Sequence, residues 1–386
     1  MELDAYLRDV LDARAAAGLL RAPREVRPVS GGYVEIEGRR LLSFASNDYL
    51  GLAQSPALAS ALARGAAERS GAGSSRVVAG TNPVHRQAER ALAGLVGASD
   101  ARLFSSAYAA NLAVLGSLWG PEDVLFSDAL NHASIVDGCR LSGARVVIFP
   151  HGRLDVLEAL LDEHAPRARM CVVVTESLFS MDGDAADLRT LRAMTARRRA
   201  VLLVDEAHAL GVVGPQGRGA AAAHDVRPDI VVGGLGKSMG LAGGFVAGSE
   251  ALGSVLDNLG RPYVFSTAIL PAMAHAVPHA VELLKQAEAD RARIASHAGR
   301  IRDAVRAAGA PMTGGPPAVI VSVVLGAPDR ATDIARRLLD LGYLVPAMRP
   351  PTVPAGTSRL RITPTAIHTE EQVEGLCTAL RSALTS

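Results

Sequence analysis

A glycine-rich turn carries a lysine in the stretch Asp229-Ile-Val-Val-Gly-Gly-Leu-Gly-Lys237-Ser-Met-Gly-Leu-Ala-Gly-Gly-Phe-Val246. Apolar residues precede and follow this turn, which predicts two strands around it. Lys237 and Lys285 are the two lysines of the chain, whose 40 lysine and arginine residues are otherwise arginines. Because arginine keeps its proton in proteins, only lysine can form a Schiff base, so Lys237 is a candidate covalent nucleophile. The alternative is a plain surface lysine, which is our interpretation of Lys285 on a predicted amphipathic helix.

Length and composition set the class of protein. The chain has 386 residues, with 49% hydrophobic and 20% charged residues, which predicts a well-packed soluble protein of enzyme size with two domains. We expect an N-terminal helix and hairpin segment (1–45), a large domain (46–270) and a small α+β C-terminal domain (271–386). The net charge of +1 gives no electrostatic reason to expect binding to nucleic acid or to a membrane.

Cysteine usage and the N-terminus favour a cytoplasmic location. The three cysteines are widely spaced and form no CxxC pair, which predicts neither a disulfide framework nor a thiolate zinc site. The first residues are charged and lack the apolar core of a signal peptide.

Strands and helices alternate through the middle of the chain, which predicts an α/β fold with a mostly parallel seven-stranded sheet. The predicted strands are Ala101–Phe104, Asp123–Ser127, Arg145–Phe149, Met170–Glu176, Ala200–Asp205, Asp229–Gly233 and Gly244–Ala247. Ligands of such sheets bind at the carboxyl ends of the strands. Polar clusters follow five of these ends, at 105–111, 128–134, 176–184, 205–208 and Lys237.

The flanking regions have their own predicted elements. Glu37-Gly38 is expected to turn a hairpin at 28–44. Helices are predicted at 2–21, 56–69, 83–96, 270–308, 331–341 and 369–384, and further strands at 318–325, Tyr343–Ala347 and Ser358–Thr363.

Three other chemistries fit these clusters less well. Asp205-Glu-Ala-His208 spells the box of DEAH-type ATPases, but the P-loop that Gly236-Lys237-Ser238 would end has Val231 where its first glycine belongs. Zinc at His132 and His208 lacks any HExxH or short His-x-His spacing. A serine hydrolase lacks the GxSxG elbow.

Pyridoxal phosphate fits the clusters better. This cofactor needs a lysine, a carboxylate for its pyridinium nitrogen, a ring-stacking partner and a phosphate cradle. Lys237, Asp205, His132 and a helix beginning within 105–111 supply these four, each at a predicted strand end.

The chain resembles the α-oxoamine synthases, a family of fold-type-I pyridoxal phosphate enzymes, over nearly its whole length. The resemblance rests on Leu11-Asp-Ala-Arg, Ser46-Asn-Asp-Tyr-Leu-Gly-Leu, Asn131-His-Ala-Ser, Phe179-Ser-Met-Asp-Gly-Asp, Asp205-Glu-Ala-His, Gly236-Lys and Arg349-Pro-Pro-Thr-Val-Pro-Ala-Gly-Thr-Ser-Arg-Leu-Arg-Ile-Thr. The leading Arg349-Pro-Pro is similar to the biotin branch of the family, whereas the aminolevulinate and aminoketobutyrate branches more often have tyrosine at this position.

The resemblance implies a role for each matching residue. Lys237 would bind the cofactor and then remove the α-proton of the amino acid, Asp205 would pair with the pyridine nitrogen, and His132 would stack on the ring. Catalytic roles are thus implied for Lys237, His132, Asp205 and His208. Further cofactor contacts are implied at Ala107, Tyr108, Ser180, His208, Gly234, Ser266 and Thr267, the last two in the neighbouring subunit of a homodimer with shared active sites. Substrate contacts are implied for Arg21, Asn47, His132, Arg349, Thr352 and Arg361. Judged by spacing alone, Arg361 is an ordinary charge on a strand surface.

Three positions depart from the family pattern. Gly234 stands where a threonine or serine usually binds the phosphate, Ala107 replaces a common glycine, and Ala209 replaces the glycine or serine after the histidine.

The implied reaction is a decarboxylative condensation of L-alanine with pimeloyl-CoA or a pimeloyl-carrier protein, in biotin biosynthesis. Two alternatives stay open at this point. One is a family member that joins glycine or another amino acid to a different acyl-CoA, as a glycine C-acetyltransferase does. The other is a regulator that binds the cofactor without turnover.

Overall fold

The computed structural model describes residues 2–385 and arranges them around three β-sheets. The strands are β1 Arg27–Pro28, β2 Tyr33–Ile36, β3 Arg39–Ser43, β4 Asp100–Phe104, β5 Val124–Asp128, β6 Arg145–Phe149, β7 Cys171–Glu176, β8 Val201–Asp205, β9 Ile230–Gly234, β10 Gly244–Gly248, β11 Met312–Thr313, β12 Val321–Gly326, β13 Tyr343–Leu344, β14 Ala347–Met348 and β15 Ser358–Ile362. The helices are α1 Leu3–Ala16, α2 Pro56–Glu68, α3 Pro83–Val96, α4 Ala107–Leu118, α5 Ala133–Leu141, α6 Leu154–His164, α7 Leu188–Arg197, α8 Ala220–Ala223, α9 Glu250–Leu259, α10 Arg261–Val264, α11 Pro271–Gln286, α12 Glu288–Ala307, α13 Pro328–Asp340 and α14 Glu370–Thr385. Within residues 2–385, no helix is long and apolar enough to cross a bilayer.

The central sheet has seven strands in the order β4-β10-β9-β8-β7-β5-β6. The strands from β9 to β6 are parallel to one another, and β10 runs antiparallel to both of its neighbours. The predicted α/β fold and its mostly parallel seven-stranded sheet are therefore confirmed. Since β5, β7, β8 and β9 are parallel, the polar residues that follow them converge on one edge of the sheet.

Both faces of the central sheet are covered. Along β7, Val172 and Val174 pack into the apolar cluster that contains α4 and α5, whereas Val173 packs into the cluster on the opposite face. This alternation is the two-residue period of a strand, and a strand buried on both faces consists of apolar residues throughout. The sheet is thus a rigid base for the residues at its edge.

The first turn of α4 lies very close to β10. Ser106 begins the helix because its side chain accepts a hydrogen bond from the Ala109 N–H, at 3.0 Å. Gly244 makes the approach feasible, since a Cβ on this residue would stand 2.3 Å from the Ala107 nitrogen. A glycine in β10 therefore fixes where the N-terminus of α4 is placed.

The predicted hairpin is confirmed, with β2 and β3 joined by Glu37 and Gly38 at φ 51° and 75°. Positive φ at both positions is typical of the tight turns that suit strand twist. The single strand predicted for Tyr343–Ala347 is wrong. β13 joins the hairpin sheet and β14 joins the C-terminal sheet, because Pro346 between them has no N–H to continue a ladder.

Two predicted helices also differ from the structure. The helix predicted at 2–21 ends at Ala16, because Gly18 adopts a left-handed conformation (φ 67°) that terminates it. The helix predicted at 270–308 is two helices that meet at Ala287. The Arg291 guanidinium donates to the carbonyl oxygens of Leu284 and Lys285, which satisfies the end of α11 at the break.

The strand predicted at 318–325 begins later, at Val321, because the carbonyl groups of Ala318 and Ile320 accept hydrogen bonds from Arg302. The domain limits at 45/46 and 270/271 stay a prediction.

Substituting Gly244→Ala should push α4 away from β10. The added methyl group meets backbone atoms that cannot rotate away, so we expect a loss of about 1–3 kcal/mol in the free energy of unfolding, as for other overpacked sites. Denaturant unfolding of the purified protein measures this. Gly94→Ala on α3 is the matched control, since a Cβ there meets no atom within 4 Å and the change should be neutral or stabilising. Equal unfolding midpoints for Gly244→Ala and wild type would contradict the conclusion that Gly244 allows α4 to lie this close to β10.

Candidate active site

Lys237 lies in the turn that follows β9. The turn is closed by two backbone hydrogen bonds, from Gly240 N to Lys237 O at 2.9 Å and from Leu241 N to Leu235 O at 3.0 Å. Burial lowers the pKa of the Lys237 ammonium, while Asp205 and Glu176 oppose the shift. A lowered pKa increases the fraction of neutral amine, which is the form that attacks a carbonyl and accepts a proton.

Asp205 ends β8 with its carboxylate already oriented. Oδ2 accepts a hydrogen bond from Asn111 Nδ2 at 2.8 Å, and Oδ1 accepts one from the Ala207 N–H at 2.9 Å. The same Asn111 amide donates to Ser134 Oγ at 2.9 Å, which connects α4, α5 and β8. Asp205 is 6% exposed, so this buried carboxylate is fixed in direction and suited to a cationic nitrogen of a ligand.

His132 stands directly before α5 and caps it. Its Nδ1 accepts a hydrogen bond from the Ser134 N–H at 3.2 Å and lies 2.8 Å from Ser134 Oγ. A neutral ring therefore carries its proton on Nε2. Enclosure in the cleft lowers the pKa of His132, although the Asp205 charge opposes this, so the ring is neutral at pH 7. The imidazole lines a cavity of about 750 Å³, where a flat ligand ring can lie against it.

His208 is buried behind this cleft and contacts a tyrosine. Its Nδ1 lies 2.8 Å from the hydroxyl oxygen of Tyr49, which is fully buried. Burial, reinforced by the charges of Lys237 and Arg361, holds the pKa of His208 well below its usual value. His208 is thus a neutral imidazole, which can donate or accept one hydrogen bond without adding charge to the site.

Arg361 on β15 is a buried cation, so its interpretation as a strand-surface charge is wrong. The residue is 2% exposed. Its Nε donates to the Ser180 carbonyl at 2.6 Å, and its Nη1 donates to Asn47 Oδ1 at 3.0 Å. Among residues 2–385, its buried Nη2 has no hydrogen-bond partner. A buried guanidinium nitrogen left without a partner is costly, so this atom indicates a site for an anionic group.

The start of α4 and the end of β9 form a small cradle. Ala107 and Tyr108 provide the first N–H groups of α4, the kind of helix N-terminus that binds phosphate. Gly234 lies beside them, and a Cβ there would be 3.6 Å from the Ala107 Cβ and 3.5 Å from the Ala207 Cβ. There is therefore room at position 234 for a side chain that the protein does not have.

Arg21, Thr352 and Arg349 meet at a second cavity, of about 820 Å³. Arg21 Nη2 donates to Thr352 Oγ1 at 2.7 Å, and Arg349 Nη1 donates to the Gly18 carbonyl at 3.1 Å. Pro350 and Thr352 line both this cavity and the one that contains His132. The two arginines therefore place positive charge within reach of the His132 cleft.

Ser266 and Thr267 lie apart from these clusters, between α10 and α11. Thr267 is exposed and pairs with Ser75 in an isolated bridge. Their predicted contact with a neighbouring subunit's cofactor stays a prediction. So do the roles implied for the other residues, including Ser180, whose carbonyl anchors Arg361.

Sequence reasoning missed three residues of this site: Asn111, Tyr49 and Glu176. Asn111 and Glu176 stand inside the polar clusters at 105–111 and 176–184, and Tyr49 stands in the Ser46–Leu52 stretch, but nothing in the spacing indicates which side chains they contact. Glu176 pairs in register with Asp205 and is 3% exposed. Burial and the Asp205 charge raise the pKa of Glu176 to about 8, so it is largely protonated at pH 7.

The structure distinguishes among the ATPase-like, metal-binding and pyridoxal phosphate interpretations of these residues. Glu206 of the DEAH-like box points to the start of α8, where it accepts hydrogen bonds from the N–H groups of Ala220 and Ala221. Its role is therefore to hold the start of this helix. Among residues 2–385, no group of three or more histidine, cysteine or acidic side chains is placed to hold a metal ion. The donor set of Lys237, Asp205 and the α4 N-terminus, with the unpaired Nη2 of Arg361, fits pyridoxal phosphate bearing an amino acid.

Comparison with known proteins agrees with this fit. Residues 39–380 match the family model described as aminotransferase class I and II. The chain is 47% identical over 378 residues to an 8-amino-7-oxononanoate synthase of Anaeromyxobacter sp. (strain Fw109-5), which covers 97% of this chain and 94% of that protein. It is 44% identical over 369 residues to an 8-amino-7-oxononanoate synthase of Geobacter sulfurreducens (strain ATCC 51573 / DSM 12127 / PCA), covering 94% of each. Among solved structures, the serine palmitoyltransferase of Sphingomonas wittichii superimposes with a TM-score of 0.90 at 32% identity, covering 99% of this chain and 98% of that one.

The space at Gly234 predicts a gain in cofactor affinity on adding a hydroxyl group. Gly234→Ser places a donor beside the α4 N-terminus, and one more hydrogen bond to the phosphate should lower the Kd for pyridoxal phosphate about three- to tenfold. Absorbance titration of the cofactor-free protein measures this without any turnover assay. Gly234→Ala is the control, since it fills the space but donates nothing. If Gly234→Ser binds the cofactor no more tightly than Gly234→Ala, the phosphate does not bind beside residue 234.

Proposed function

The chain belongs to the aminotransferase class I and II family, and on that premise we propose that it condenses L-alanine with a pimeloyl thioester. The products are 8-amino-7-oxononanoate, carbon dioxide and free CoA, or the free carrier protein if that is the donor, and the reaction is a step of biotin biosynthesis. The observation that carries this proposal is the 44–47% identity, over nearly the whole chain, to enzymes named for this product. The enzyme is a pyridoxal phosphate-dependent acyltransferase.

Pyridoxal phosphate, when bound, withdraws electrons from the amino acid and so acidifies its α-carbon. Asp205, oriented by Asn111 and Ala207, is the residue that holds a protonated ring nitrogen. His132 would stack its neutral ring on the cofactor, and His208 with Ser180 would hold the phenolic oxygen. Ala107, Tyr108 and the adjoining backbone at Gly234 would hold the phosphate, together with Ser266 and Thr267 of a second subunit.

Lys237 moves the proton. Burial lowers its pKa, so the neutral Nζ would be available as a base for the α-proton of the bound amino acid. The α-proton of alanine would pass to Nζ, and the α-carbon would form its new bond to the thioester carbonyl as the thiol leaves. Loss of carbon dioxide follows, and a proton returns to the same carbon. A regulator without turnover would not need this base aligned with Asp205 and His132.

Arg361 binds the α-carboxylate of the amino acid. Two of its nitrogens are occupied by Ser180 and Asn47, and the unpaired Nη2 is the donor left for a ligand oxygen. Because those two contacts fix the plane of the guanidinium, the carboxylate is oriented before the proton is removed. Arg21, Arg349 and Thr352 lie along the adjoining cavity, where they suit the free carboxylate at the far end of a pimeloyl chain.

A second candidate is another α-oxoamine synthesis, with glycine or serine and a different acyl-CoA. The superposition on a serine palmitoyltransferase favours it, although the identity there is 32% against 47% for the first candidate. The proposed enzyme works as a homodimer in the cytoplasm.

An amino acid by acyl-thioester matrix tests the proposed substrates. Alanine, glycine and serine would each be combined with pimeloyl-CoA, pimeloyl-carrier protein, acetyl-CoA and palmitoyl-CoA, and released thiol would be measured. We expect alanine with a pimeloyl thioester to exceed every other amino acid about tenfold or more, since a missing methyl or an added hydroxyl costs that much in a fitted pocket. Lys237→Ala is the inactive control. If alanine with both pimeloyl donors is inert while another pair turns over, the second candidate replaces the first.

Arg361→Lys should raise the KM for the amino acid about ten- to hundredfold with a smaller effect on kcat, because a lysine cannot keep the two existing contacts and also reach the carboxylate. Steady-state kinetics with varied alanine measures this. Arg291→Lys is the matched control, as it removes another buried guanidinium whose contacts are structural. An unchanged KM in Arg361→Lys would mean that the carboxylate is bound elsewhere.

A further inference from the structure

His151 lies in the loop after β6, with a carboxylate at each ring nitrogen. Its Nδ1 is 3.0 Å from both oxygens of Asp128, and its Nε2 is 2.7 Å from Asp184 Oδ2. A neutral imidazole has one N–H, and its other nitrogen would face an oxygen lone pair, so this geometry requires the imidazolium form. The ring edge also packs on Phe179, with centroids 4.4 Å apart. His151 is therefore a partly buried cation that joins two acidic residues.

The charged groups around His151 come from three elements. Asp128 ends β5, Asp184 lies in the loop after β7, and Asp187 before α7 lines the same cavity of about 200 Å³. The Asp187 carboxylate is already used by Thr190, whose N–H and hydroxyl donate to it at 3.1 and 2.6 Å. The hydrogen bonds that His151 donates to Asp128 and Asp184 raise its pKa to about 10, against the effect of burial. The residue thus stays charged throughout the physiological pH range.

Asp184 fixes the loop that carries Ser180. The Asp184 carbonyl accepts a hydrogen bond from Phe179 N at 3.0 Å, and Gly183 N donates to the Phe179 carbonyl at 2.9 Å. These bonds close residues 179–184 into one compact turn, which we call the 179–184 loop. Its inner side is tied to the central sheet by the side chains of Asp184 and His151.

The outer side of the 179–184 loop is held by the C-terminal sheet. Arg361 donates to the Ser180 carbonyl at 2.6 Å, and Arg359 donates to Asp182 Oδ1 at 2.5 Å. Thr313 Oγ1 donates to the Asp182 carbonyl at 2.9 Å. The position of the Arg361 guanidinium thus depends on where this loop stands relative to the central sheet.

We propose that His151 is a positioning residue of the active site, which acts as a cation to hold the 179–184 loop in the place that orients Arg361. The chain of contacts runs from Asp128 on β5 through His151 to Asp184, and across the loop to the Ser180 carbonyl. Without the cation, Asp128 and Asp184 would be two partly buried carboxylates facing each other with no partner between them, and the loop would move to relieve this. The effect on substrate rests on the proposed role of Arg361, whereas the effect on the loop does not.

The test first compares the enzyme loaded with pyridoxal phosphate with three of its variants. His151→Asn keeps polarity but removes the cation, and His151→Arg keeps a planar cation that can contact two carboxylates. His164→Asn is the control, because it removes a buried imidazole from α6 that is bonded to no residue of the loop. Hydrogen exchange of the Phe179 and Gly183 amides reports on the loop. The change in cofactor absorbance on adding L-alanine gives the Kd for the amino acid.

In His151→Asn we expect faster exchange of both amides and an L-alanine Kd raised about tenfold, the effect of losing one charge-assisted contact. The Kd for pyridoxal phosphate should rise by less, about two- to threefold, since the loop carries only the Ser180 contact to the cofactor and the cradle at α4 is untouched. His151→Arg should restore most of the alanine affinity and the slow exchange. Asp184→Asn should reproduce His151→Asn, and the double variant should be no worse than either single one. If His151→Asn does not fold, Asp184→Asn alone tests whether the His151–Asp184 contact holds the 179–184 loop.

The pH dependence has a definite sign. The folded protein binds the His151 proton more tightly than the unfolded chain, so the stabilisation is complete below the usual histidine pKa and is lost as pH rises toward about 10. The difference in unfolding free energy between wild type and His151→Asn should therefore be larger at pH 7 than at pH 10. Arginine keeps its charge at pH 10. The free energy of unfolding of His151→Arg should therefore rise relative to that of wild type between pH 7 and pH 10.

Unchanged amide exchange together with unchanged alanine affinity in His151→Asn would overturn the proposal. So would a His151→Arg variant that behaves like His151→Asn, because the cation would then have no role, or equal effects of His164→Asn. A wild-type enzyme whose absorbance responds to no amino acid would instead overturn the proposed function. Exchange at Phe179 and Gly183 would still decide whether His151 holds the loop.

Discussion

The buried guanidinium of Arg361 joins three distant parts of the chain, and the geometry of the cleft depends on it. It belongs to the C-terminal sheet, it donates to the Ser180 carbonyl beyond the central sheet, and it donates to Asn47 near the N-terminal hairpin. Each contact satisfies an N–H group of the buried guanidinium, so moving any one of the three parts would leave such a group without an acceptor. The unpaired Nη2 of the same guanidinium is the donor that is available to a ligand. One residue thus closes the fold and marks where an anion binds.

Around that cation the cleft holds its other ionisable groups in different states. Burial favours neutral forms, which lowers the pKa of Lys237 and His208 and raises that of Glu176. The Asp205 carboxylate is fixed in direction by two donors, Asn111 Nδ2 and the Ala207 N–H. The cleft therefore offers one oriented carboxylate, a neutral imidazole and an amine that readily loses its proton. Those are the states that chemistry on an amino acid and a pyridoxal ring requires.

Neighbouring positions in one short segment serve separate purposes. Asp205 accepts hydrogen bonds from Asn111 on α4, Glu206 binds the start of α8, and His208 contacts Tyr49. In the sequence these residues form one motif, which also matches an ATPase box. The strand end turns the three side chains in different directions, so the motif does not act as a unit. Its apparent ambiguity disappears once the partners of each side chain are known.

The sequence by itself determined the central sheet, the hairpin at Glu37-Gly38 and the presence of Lys237 and Asp205 at strand ends. These follow from local rules: apolar runs, turn residues and the requirement of parallel strands for crossover helices. Arg361 in its strand and His151 in its loop carry no such local signal. Only the tertiary structure decided that the first is buried with a free nitrogen and that the second bridges two carboxylates. Both states are set by partners far away in the chain, and spacing along a sequence contains no information on which distant backbone oxygen or carboxylate will meet a given side chain.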